Sequence, residues 1–124
     1  MGFSRSRSKE SSELNRKYYQ MNTKSVIRII KEFKEALESN NTHVAKIILF
    51  GSYAKGLSQF GSDIDLIVIS ESFKKKTIFQ RADMIAEAIY IVRAPIEALA
   101  LTPSEWAIKQ KKLKGFAKEG ICIF

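Results

Sequence analysis

A chain of 124 residues is long enough to enclose one hydrophobic core and short for two domains. With 45% apolar and 27% charged residues it has an ordinary globular composition, no apolar run near the ~20 residues of a membrane span, and no apolar leader, so the expected location is the cytoplasm. The single cysteine, Cys122, excludes an internal disulfide, and the net charge of +8 suits either plain solubility or a polyanionic partner such as nucleotide, nucleic acid or an acidic protein.

Residues 1–21 are basic and Ser-rich with little apolar content before Tyr18, and read as a flexible tail. Their opening, Met1-Gly2-x-x-x-Ser6, has the form of an N-myristoylation pattern, one short enough to arise by chance. Thr23 is placed to cap a helix running to about Ser39. Val26, Ile27, Ile30, Phe33, Ala36 and Leu37 form its apolar stripe, and Asn40-Asn41 ends it.

His43 to Phe50 reads as a first strand that finishes in Ile47-Ile48-Leu49-Phe50. His43, the only histidine, has no second ligand within reach and reads as structural or solvated. The strand stops at Gly51-Ser52, and Ser52 to Gly56 suits one helical turn. Gly51 lets backbone approach a ligand, and the first amides of a helix can receive phosphate. A Walker loop is excluded, because Gly51-x4-Gly56 is followed by Leu57 rather than by Lys and Ser/Thr.

Asp63 to Ser70 reads as a second strand, Asp63-Ile64-Asp65 leading into Leu66-Ile67-Val68-Ile69. Two carboxylates at the head of a buried strand need a partner, and a divalent cation is the simplest. Residues two apart share a face and stand roughly 6.6 Å apart along the strand, so both can reach a pair of ions. A basic loop, Lys74 to Thr77, leads to a helix from Ile78 to Arg93, with Ile78, Phe79, Ala82, Ile85, Ala86, Ile89 and Tyr90 as its expected buried stripe.

Pro95 restarts the chain as a third strand ending at Leu101. Thr102, Pro103 and Glu105 form a capping box for a last helix, which carries Trp106 and Lys109, Lys111, Lys112 and Lys114 and stops at Gly115 or Gly120. Ile121 to Phe124 suits a short final strand.

If Gly51-Ser52 and the aspartates serve one site, the first two strands must be antiparallel. The helical crossover then makes the third strand parallel to the second. Glu97 arrives at the same rim as Asp63 and Asp65. Asp83 and Glu87 rank lower as third ligands, because their helix should lie outside the sheet. The expected fold class is α/β (α+β), a mixed sheet of three to four strands with helices packed on it.

Gly51-Ser52, ten intervening residues and Asp63-x-Asp65 resemble the signature of the DNA polymerase beta-like nucleotidyltransferase superfamily, and the chain resembles its minimal branch over about residues 23–124. The resemblance implies one nucleotidyltransferase domain over residues 22–124. It implies transfer of a nucleoside monophosphate, AMP from ATP, to a hydroxyl. Asp63 and Asp65 would hold two Mg²⁺ ions, with Glu97 as third ligand or base where many members have aspartate. Gly51, Ser52 and Lys55 would receive the phosphates. Many members of that branch resemble antitoxins that adenylylate a helical HEPN protein, so a HEPN-type partner or a second copy is expected. The alternatives are a non-catalytic module that masks its partner, nucleic-acid binding through the basic arm and Lys-rich helix, and transfer to a small molecule.

Overall fold

The local rules hold where the sequence states them most strongly. In a computed structural model that describes residues 23–56, 63–112 and 120–124, helix α1 spans Thr23–Ser39. Asn41 closes it in the left-handed region, at φ 67°. The Thr42 N–H reaches the Leu37 carbonyl and the Asn41 N–H reaches that of Glu38, so two carbonyls of the last turn find partners.

Strand β1 is Lys46–Phe50, three residues shorter at its start than the sequence suggests. The preceding segment is tied differently. The Ser70 hydroxyl donates to the His43 carbonyl, and the His43 N–H donates to the Ser72 hydroxyl at 2.9 Å. The His43 side chain itself is exposed. Helix α2 is the single turn Gly51–Lys55, and β2 is Ile64–Ile69.

A 3₁₀ turn, Glu71–Phe73, leads to α3, Ile78–Val92. Thr77 and Gln80 form a capping box at its start, a start signal that the apolar pattern alone does not mark. Then come β3, Ile96–Leu101, and α4, Pro103–Lys112. The box at α4 is closed in both directions: Glu105 accepts from the Thr102 N–H at 2.9 Å and donates its own N–H to the Thr102 hydroxyl at 3.2 Å. Strand β4 is Ile121–Cys122. The stop of the last helix and the basic N-terminal tail lie outside the described residues. No described helix is long and apolar enough to cross a membrane.

The four strands form one mixed sheet in the order β3-β2-β1-β4. β1 is antiparallel to β2 and β4, and β3 is parallel to β2. Alternation gives the sheet two unlike faces. Ile47, Leu49, Ile64, Leu66 and Val68 join Val26, Ile30, Phe33 and Leu37 of α1 and Ile85 and Ala88 of α3 in the main core. Ile48, Phe50, Ile67 and Ile69 face the other way and are covered by Trp106 of α4.

The expected stripe of α3 is corrected. Ile85 and Ala88 are buried, whereas Ile78 is 79% exposed, Phe79 82% and Tyr90 71%. The helix rolls so that Ile85 and Ala88, flanked by Met84, Ile89 and Val92, meet the core, while Ala82 and Ala86 face solvent. The apolar count of α3 exceeds what one buried side can use, and periodicity alone cannot choose between two neighbouring stripes.

Candidate active site

One row of residues crosses the sheet where the chain changes direction. Phe50 pairs with Asp65 in β2, and Asp65 pairs with Glu97 in β3. Antiparallel pairing makes β1 end at this row, and parallel pairing makes β2 and β3 begin at it. Paired residues share a face, so Asp65 and Glu97 project side by side on the α4 face of the sheet.

Gly51 is the residue that lets β1 turn away beside them. Its φ is 75°, a region open to glycine, and a Cβ there would collide with the Asp65 carboxylate oxygen Oδ2. The backbone thus passes against Asp65 and enters α2, which a second left-handed glycine, Gly56 at φ 71°, closes. Ser52 sits half-buried in the first turn of α2, and Lys55 is exposed at its end.

The electrostatics report the same proximity. The Asp65 carboxyl is held above the ordinary carboxylate range, first by burial, then by the charge of Glu97 and a side-chain hydrogen bond with it, and last by the charge of Asp63. Burial likewise raises the Tyr53 hydroxyl of α2, with the charge of Asp63 adding to it. The structure therefore brings Asp65 and Glu97 into direct contact and leaves Asp63 exposed at their margin, one residue before β2 starts. Asp83 and Glu87 are exposed on α3, whose buried side chains pack on the opposite face of the sheet, away from the row.

A half-open groove of about 630 Å³ runs from the row down the α4 face. Asp65 and Glu97 stand at its rim, Phe50, Ile67 and Leu99 form its floor, and Lys109 of α4 forms its wall. Among the described residues no three His, Cys, Asp or Glu side chains already form a metal-holding group. Asp65 and Glu97 nevertheless suit a hard divalent cation. They are oxygen donors paired on neighbouring strands, the kind of donor that would hold such an ion.

The matched residues take the same direction. A sequence profile of the nucleotidyltransferase domain covers residues 30–120, most of the chain. The chain belongs to the nucleotidyltransferase domain family. A Methanocaldococcus jannaschii protein provisionally named a protein adenylyltransferase is 31% identical over 93 residues, 72% of this chain and 63% of that protein. A second, similarly named protein of the same organism is 47% identical over 45 residues, 36% of this chain and 45% of that protein. The chain thus matches less than two thirds of the length of either relative. The fold resembles a crystal structure of a provisionally assigned nucleotidyltransferase from Sulfolobus solfataricus, with TM-score 0.59 and 23% identity over 79% of this chain and 78% of that one. It also resembles the crystal structure of a toxin–antitoxin with AMP-PNP, with TM-score 0.55 and 18% identity over 76% of this chain and 71% of that one.

At this candidate site, Phe50, Tyr53, Leu99 and Lys109 are the residues that sequence reasoning passed over. Lys109 carried a signal. It stands three residues after Trp106, and such a pair shares one side of a helix. A tryptophan that faces the sheet therefore turns Lys109 toward the sheet as well.

Proposed function

We propose that this nucleotidyltransferase domain transfers AMP from ATP to a hydroxyl on a separate protein. The observation that carries the reading is the Asp65–Glu97 pair, set in register beside the Gly51 turn. Asp63 and Asp65 are the proposed holders of Mg²⁺, with Glu97 completing the carboxylate set. Ser52 and the amides following Gly51 receive the terminal phosphates, and Lys55 adds positive charge on that side. When bound, Mg²⁺ supplies neutralisation of the phosphate oxygens and a lowered pKa for the acceptor hydroxyl.

Glu97 accepts the proton of that hydroxyl. The acceptor oxygen then bonds to the α-phosphorus in line as the bond to pyrophosphate breaks. The chain's contribution is positioning and charge, the usual division of labour in phosphoryl transfer. The acceptor we propose is a tyrosine of a helical HEPN-type protein. Support comes from the names of the M. jannaschii relatives and the likeness to a toxin–antitoxin fold. The apolar side of α3, with Phe79 and Tyr90 in solvent, offers such a partner a surface.

That same surface favours a second reading, in which the domain silences its partner by covering it. Incubation with labelled ATP, Mg²⁺ and the product of the neighbouring gene separates the two. Label on the partner, lost in an Asp63→Asn/Asp65→Asn variant, is the expected outcome. Partner binding and silencing that survive in that variant without ATP would replace transfer by masking. No label and no binding would remove both.

A further inference from the structure

Helix α4 folds back from the end of β3 over the carboxylate face. Trp106, 8% exposed, wedges it onto Ile48, Phe50, Ile67 and Ile69, with the Trp106 and Phe50 rings edge to face at 6.3 Å. Three residues on, Lys109 comes down on the same side and lines the groove. It is half-buried, while Lys111 and Lys112 on the same turn are exposed. Asp65 and Glu97 are the other charged residues of the groove lining, and the rest of it is apolar. Among the described residues Lys109 has no ion-pair partner, so its ammonium is not spent on either carboxylate. An uncommitted cation over an apolar floor, next to carboxylates that suit a metal ion, points to an anionic ligand spanning the groove.

We infer that Lys109 is a nucleotide-positioning residue whose ammonium binds a phosphate oxygen of the nucleoside triphosphate across the groove from Asp65 and Glu97. This rests on the proposed nucleotidyl transfer and adds to it a binding group from the opposite wall. Ser52, the backbone amides and Lys55 meet the triphosphate from the α2 side, and Lys109 would meet it from the α4 side. A lysine serves phosphate as a compact point charge, so arginine should substitute in part and methionine not at all.

The test is calorimetric binding of ATP with Mg²⁺ to the full chain and to its K109M, K109R and D65N variants, with thermal unfolding of each. K109M is expected to weaken ATP binding about tenfold, a loss of about 1.4 kcal/mol. K109R should recover most of that loss, and the melting temperature of K109M should stay within a degree or two. ATP binding unchanged in K109M but lost in D65N would overturn the role of Lys109 and leave the transfer reading standing. A K109M variant that melts well below the wild type would make Lys109 structural and overturn the role as well. A wild-type chain that binds no ATP with Mg²⁺ would overturn both.

Discussion

The two faces of the sheet are built from the same strands and differ in almost everything else. On one, Leu49, Ile64, Leu66 and Val68 lie under two helices and are closed to solvent. On the other, one short helix covers Ile48, Phe50, Ile67 and Ile69 through Trp106, and Asp65 and Glu97 stay open at the rim. Coverage accounts for the division. A carboxylate under α1 and α3 would lose its water with no charge to replace it. Beneath the open end of α4 it keeps solvent and can receive a cation or a substrate. Stability is therefore concentrated on one face and the proposed chemistry on the other, one residue apart along each strand.

Substitutions on the two faces should separate these properties. The largest effect on stability is expected on the closed face. Phe33→Ala, at a fully buried α1 position, should cost about 3–5 kcal/mol in denaturant unfolding. Its folded fraction should bind ATP as the wild type does. A similar loss of ATP affinity in that folded fraction would show that the faces are coupled.

On the open face, Asp65→Asn should reverse the pattern. Label transfer is expected to fall by roughly three orders of magnitude, the scale on which removing one preorganised electrostatic group acts. In EDTA the variant should melt no lower than the wild type at neutral pH, and higher as the comparison moves up from acid. The sign follows from the raised pKa of Asp65. The unfolded carboxyl ionises first, so the wild type loses stability as pH rises from the ordinary carboxylate range through the raised folded value, and the penalty is constant above that. Asparagine does not titrate and escapes it. A wild type that gained stability relative to the variant across this window would mean that Asp65 is favourably paired in the metal-free protein.

The smallest effect is expected on the exposed side of α3. Phe79→Ser should change stability by no more than about 0.5 kcal/mol, as for other surface positions. Ile85→Ala, buried on the same helix, should cost about 2–5 kcal/mol. Equal losses would return Phe79 to the core side. Weaker binding of the proposed HEPN-type partner by Phe79→Ser, with stability intact, would tie the surface to that partner.

These comparisons also divide what can be read from the chain itself. The strand assignments, the antiparallel and parallel pairings, and the arrival of Glu97 at the rim that carries the aspartates all follow from apolar runs and one crossover helix. Those inferences rest on short-range sterics and chain connectivity, which act the same way in any context. The strand limits are less legible. β1 loses its first residues because Ser70 and Ser72 hold His43 outside the ladder, and side chains 27 and 29 residues away carry no local mark.

By itself the sequence determined the capping box at Thr102, the end of α1 at Asn41, the glycine turn at Gly51 and the face shared by Asp65 and Ile67. Each depends on a backbone torsion or a hydrogen bond within a few residues. The tertiary structure alone decided which stripe of α3 is buried, that Asp65 and Glu97 press together while Asp63 stays at the rim, and that Lys109 leaves the solvated run of lysines for the groove. Those outcomes depend on which surfaces remain to be covered once the sheet has formed. Competition for burial among elements distant in sequence settles that, and a local pattern does not record it.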